Sequence, residues 1–143
     1  MGKKLILFCS ATALALALAL PSVSNAQISV IVSKSNSYKI NESYIKDIFA
    51  TANLTWPDGK KVLVVDQSGT DAGTEFYKKT IGKSVNQIRT LWTKLVLSGQ
   101  ATAPRKCDSD TEVMAAVSAS AEAIGFIASK SLNDSVKEIF KIE

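Results

Sequence analysis

Residues 62–70 read VLVVDQSGT. Val62-Leu63-Val64-Val65 is a short apolar run rich in β-branched residues, the pattern of a strand buried on both faces. Asp66-Gln67-Ser68-Gly69-Thr70 then switches to turn chemistry. A helix is expected next, with Phe76, Tyr77 and Ile81 as its apolar positions and Gly82 as its stop. A buried strand, a polar loop and a helix in that order form half of a strand–helix–strand unit.

The flanking sequence repeats this alternation. Ile28 to Val32 is a second β-branched apolar run. Asn41 is placed to cap a helix reaching about Ala52, whose Ile45, Ile48, Phe49 and Ala52 fall on one face. Trp56-Pro57-Asp58-Gly59 is a turn. Ser84-Val85-Asn86-Gln87 is a capping box for a helix with the stripe Ile88, Leu91, Trp92, Leu95 and Val96, ended by Gly99. Gln100 to Cys107 reads as loop. Ser109 to Glu112 is a second capping box, for a helix to about Ala119. Ala123 to Ile127 and Val136 to Ile142 complete the expected strands. Strands separated by helices predict an α/β fold with a mainly parallel sheet flanked by helices. Trp56 and Trp92 are expected core anchors.

The first 26 residues read differently. Lys3 and Lys4 precede an apolar run from Leu5 to Leu20, and Pro21 breaks it ahead of Ser24-Asn25-Ala26. This is the pattern of a secretory signal peptide cleaved after Ala26, and the run falls short of the ~20 residues of a membrane span. The working domain is then residues 27–143, in the periplasm or outside the cell. The chain has 143 residues and a net charge of +4, of which Lys3 and Lys4 supply two. What remains is modestly basic, so no nucleic-acid partner is expected. Of two cysteines only Cys107 follows the leader, so no disulfide within the domain is expected. Cys107 is expected as a semi-buried loop thiol rather than a nucleophile, since no base is evident, and a free thiol outside the cytoplasm also leaves a homodimer open.

Histidine is absent. That removes Ser-His-Asp and Cys-His nucleophile pairs and zinc sites of the usual His/Cys kind. No enzyme activity, cofactor or metal site is expected. Gly82-Lys83-Ser84 resembles the end of a P-loop, but Tyr77 stands where its first glycine belongs. Asp108 and Asp110 read as carboxylates drawn to a helix N-terminus.

The stretch with functional character is Asp66 to Thr70. A loop at the carboxyl end of a buried strand is where open α/β sheets bind ligands, and a helix start offers unpaired N–H groups to an anion. Ser68 and Thr70 add hydroxyls, and Gly69 lets the backbone come close. The structural alternative is that Ser68 or Thr70 caps the helix and Gly69 serves the turn. Asp66 and Asp71 repel a dianion. Asp66 is assigned instead to accept a hydrogen bond from a protonated oxyanion, which distinguishes hydrogen phosphate from sulfate.

Four blocks carry a family resemblance: ISVIVSKSNS at 28–37, YIKDIFATANLTWPDGKKVLVVDQ at 44–67, TEFYKKTIGKSVNQIRTLWTKLVLSGQATAPRKCDSDTEVMAAVSA at 74–119, and AIGFIA at 123–128. In this order and spacing they resemble the short periplasmic proteins related to the substrate-binding subunit of phosphate ABC transporters, in the type 2 periplasmic-binding-protein superfamily. The resemblance implies a single-lobe domain of that fold. It also implies that Ser68, Gly69 and Thr70 match the Ser-Gly-Thr with which full-length members hold phosphate through amides and hydroxyls. Those members carry an arginine a few residues ahead of the motif, where this chain has Val64, and close two lobes around the ligand. The expected ligand is phosphate or a similar oxyanion, and the expected partner an ABC permease. The alternative function is an envelope scaffold that docks on another protein and has a degenerate site.

Overall fold

The computed structural model describes residues 27–143. The expected leader lies outside the described residues. Five strands form one sheet: β1 (Ile28–Val32), β2 (Leu63–Asp66), β3 (Arg105–Lys106), β4 (Ala123–Ala128) and β5 (Lys137–Ile142). Their order across the sheet is β3-β2-β4-β1-β5. β2 runs parallel to both β3 and β4, while β1 is antiparallel to β4 and β5. The expected α/β architecture is present, with the parallel pairings gathered around β2.

Alternation along the strands feeds two cores. Val30, Val32, Val64, Ile124 and Phe126 face one side of the sheet. They meet α1 (Glu42–Phe49), α2 (Asp71–Phe76), the π-helical turn Tyr77–Ile81 that continues it, and α3 (Val85–Leu97). Ile31, Val65, Ala123 and Ile127 face the other side and pack on α4 (Asp110–Ser118). Burial on both faces explains why these strands read as unbroken apolar runs. Phe76 stacks on Phe126 at 4.0 Å between ring centroids, with Phe49 edge-on to both. Trp56 is fully buried and its indole N–H donates to the Glu122 carbonyl.

Gly125 explains how close α4 can lie. A Cβ there would stand 2.8 Å from Val113 Cγ1 and 3.1 Å from Val117 Cγ2, so the helix occupies the space a side chain would need.

Three features differ from the sequence expectation. α1 ends at Phe49, because Thr51 adopts a left-handed φ of 66° and turns the chain before Ala52. The span Gln100 to Cys107, expected as loop, contains β3. That strand is two exposed residues at the sheet edge, with no apolar alternation to announce it. The Ser84–Gln87 capping box forms in full, but the second box is altered. Ser109 accepts from the Glu112 amide, while the Glu112 carboxylate accepts from Asp108 N–H rather than Ser109 N–H. Among the described residues, no helix is long and apolar enough to cross a membrane.

Candidate oxyanion site at the carboxyl end of β2

Residues 67–70 leave β2 and turn immediately into α2. Thr70 is the cap of α2: its hydroxyl accepts from Gly73 N–H at 3.1 Å and donates back to the Gln67 carbonyl at 2.8 Å. The Thr70 amide also donates to that carbonyl, at 3.0 Å. The turn is tight enough to exclude a side chain at Gly73, where a Cβ would lie 2.2 Å from Gln67 O and 2.7 Å from Ser68 Cα. Gly73 is therefore the glycine that the fold demands here. At Gly69 an added Cβ meets nothing within 4 Å, so the turn does not account for that glycine.

The loop is anchored from beneath by Gln67, which is buried. Its Nε2 donates to the Phe126 carbonyl at 2.8 Å and to Asp110 Oδ1 at 2.9 Å. The other Asp110 oxygen accepts from the Ser131 hydroxyl at 2.6 Å. One glutamine thus joins the carboxyl end of β2 to β4 and to the first turn of α4. Asp110, read from sequence as a carboxylate drawn to a helix start, is the hub of that joint.

Asp66 is 4% exposed. Its Oδ1 accepts a 2.7 Å hydrogen bond from the Tyr77 hydroxyl. Burial pushes the Tyr77 hydroxyl well above its ordinary pKa, and the adjacent Asp66 carboxylate adds to the shift. Tyr77 is therefore a fixed donor that orients the carboxylate. Among the described residues, Asp66 Oδ2 has no protein donor.

The remaining polar groups of the turn are not claimed by the protein. Among the described residues, no protein acceptor takes the N–H of Ser68, Gly69, Asp71 or Ala72, and the Ser68 hydroxyl has no partner. Asp71 and Ala72 form the first turn of α2, whose amides have no intrahelical acceptor. Of the four sequence-chosen residues, Asp66, Ser68 and Gly69 keep groups free for a ligand. The Thr70 hydroxyl is committed to the cap, the role weighed against ligand binding at the outset. Val64 is buried in the core and contributes nothing to the loop's surface.

Beside the loop lies a cavity of about 210 Å³. Ile88, Trp92, Val96 and Leu97 of α3 form one wall, Ala103 and Pro104 face them, and Asp66, Ser68, Arg89 and Lys106 supply the polar groups. Trp92 is 7% exposed, and its indole N–H is without an acceptor. Leaving such a donor unpaired costs about 1–3 kcal/mol. Arg89 and Lys106 escaped the sequence reading because they are exposed residues on separate elements. Only the approach of β3 to α3 brings them to one cavity.

Cys107 follows β3 and is buried, and burial raises its thiol pKa although Arg105 partly opposes this. A disulfide between two copies would need this thiol at the surface.

No family model and no curated protein matches the sequence. Solved structures do match in fold. One is an ABC-type phosphate transport receptor from Vibrio cholerae, at TM-score 0.59 and 16% identity, over 80% of this chain and 49% of that one. A second, from Clostridium perfringens, is assigned as a phosphate ABC transporter substrate-binding protein and was solved with phosphate bound. It matches at TM-score 0.60 and 21% identity, over 80% of this chain and 45% of its own. PstS from Borrelia burgdorferi matches at TM-score 0.58 and 15% identity, over 80% and 47%. The chain thus has the fold of phosphate-binding receptors and spans about half their length.

Proposed function

We propose that this chain is an extracytoplasmic binding module for an oxyanion, with phosphate as its first ligand. The carrying observation is that four amides around one turn, Ser68 and Gly69 of the loop and Asp71 and Ala72 of the first turn of α2, have no protein acceptor, beside the free Ser68 hydroxyl. The fold shared with phosphate receptors, one of them solved with phosphate bound, supports the same ligand. Thr70 serves the site indirectly, by capping α2 and holding the turn. Asp66 is held by Tyr77 through one oxygen and accepts the proton of hydrogen phosphate with the other. Sulfate at neutral pH has no proton to offer.

The role is capture without catalysis. Any transport function passes through an ABC permease or another envelope protein, and a homodimer would supply the second wall that one lobe lacks. An open half-site leaves its ligand wet, so affinity is expected to be weak.

Thermal unfolding of the protein with and without millimolar phosphate tests this. Ligand at 100 times Kd should stabilise by about 2.7 kcal/mol. Asp66→Asn should erase the preference for phosphate over sulfate, measured by calorimetric competition. If no phosphate concentration shifts unfolding, the scaffold reading, in which the chain docks on another envelope protein, replaces this one.

A further inference from the structure

We propose that the oxyanion loop is the polar end of a larger site, whose ligand is a phosphate monoester or phosphonate bearing a short apolar tail. The inference rests on the oxyanion reading and adds the ligand's other half. Free phosphate would use only Ser68, the loop amides and the neighbouring cations. It would leave Val96, Leu97 and Pro104 of the same cavity in contact with water.

Three observations converge on an anionic head with a tail. The cavity is continuous from Asp66 and Ser68 to the apolar wall of α3. About 210 Å³, against ~15 Å³ for one water on the same measure, leaves room for a short tail beyond a head group. Arg89 and Lys106 border it, and among the described residues neither is held in a salt bridge, so two cations face the single carboxylate of Asp66.

The test is a calorimetric titration of the protein with inorganic phosphate, methyl phosphate, propyl phosphate and butyl phosphate at fixed ionic strength, with butanol as the tail alone. Affinity should rise about two- to fourfold per added methylene up to butyl, the gain expected for partial to full burial of each group. Butanol should not bind measurably. Val96→Ser and Leu97→Ser, both at exposed positions that the fold tolerates, should flatten the chain-length series. The Trp92 indole proton resonance should move with butyl phosphate. If phosphate and butyl phosphate bind equally well, the tail site is overturned and the oxyanion reading stands. Butanol binding as tightly as the ester would overturn the coupling of head and tail. If no member of the series binds, both readings fall.

Discussion

Helices α3 and α4 start alike and end differently. Each is capped by a serine whose hydroxyl takes the amide three residues on. Yet α4 buries Val113, Met114, Ala116 and Val117 against the sheet, in contact made closer by Gly125. The longer α3 buries only Ile88 and Trp92, and leaves Leu97 83% exposed at the mouth of a cavity. The same local start signal therefore serves a helix packed on the sheet on one side and the wall of a cavity on the other. The loop from Gln67 to Thr70 stands between them, tied to α4 through Asp110 and open toward α3 through Asp66 and Ser68.

The strongest way to break this division is at the loop itself. Gly73→Ala places a Cβ against the Gln67 carbonyl, which is backbone and cannot swing aside. The loss should be on the order of 4 kcal/mol by urea unfolding, with phosphate binding abolished. On the closed side, Met114→Ala should cost about 3 kcal/mol, because the space it vacates is walled by the sheet. Tyr77→Phe should cost about 2 kcal/mol by stranding the buried Asp66 carboxylate without its donor. The pH dependence sharpens that prediction. The folded-state pKa of Tyr77 is raised above the ordinary 10.0, so its contribution is fully present below pH 10 and is lost as pH climbs toward the folded value. Tyr77→Phe should remove part of the alkaline fall in stability seen in urea melts above pH 10. On the open side, Leu97→Ser should change stability by less than about 0.5 kcal/mol. A large loss there would mean that α3 is as structural as α4.

Much of this arrangement is legible in the sequence, and the reason differs by element. The buried strands announce themselves as apolar runs, because both faces are covered. Ser84 with Gln87, and Asn41, mark helix starts through groups they satisfy locally. The loop from Asp66 to Gly69 stands out by its turn chemistry after a buried strand. What escapes depends on distant partners. β3 is defined only by the edge of β2 that it joins. Gly73 and Gly69 look equivalent on paper, and only the packed turn distinguishes the obligatory glycine from the free one. Gln67, an unremarked polar residue, becomes the joint of three elements. The Arg89–Lys106 rim exists only once α3 and the segment from Ala103 to Lys106 share a cavity.

The account depends most on whether bare backbone N–H groups receive an anion. Amide-resolved NMR of the protein during a phosphate titration measures this directly. The amide resonances of Ser68, Gly69, Asp71 and Ala72 should move together along one saturating curve, while those of α4 stay still. Unmoved loop amides, or shifts confined to surface lysines without saturation, would contradict it.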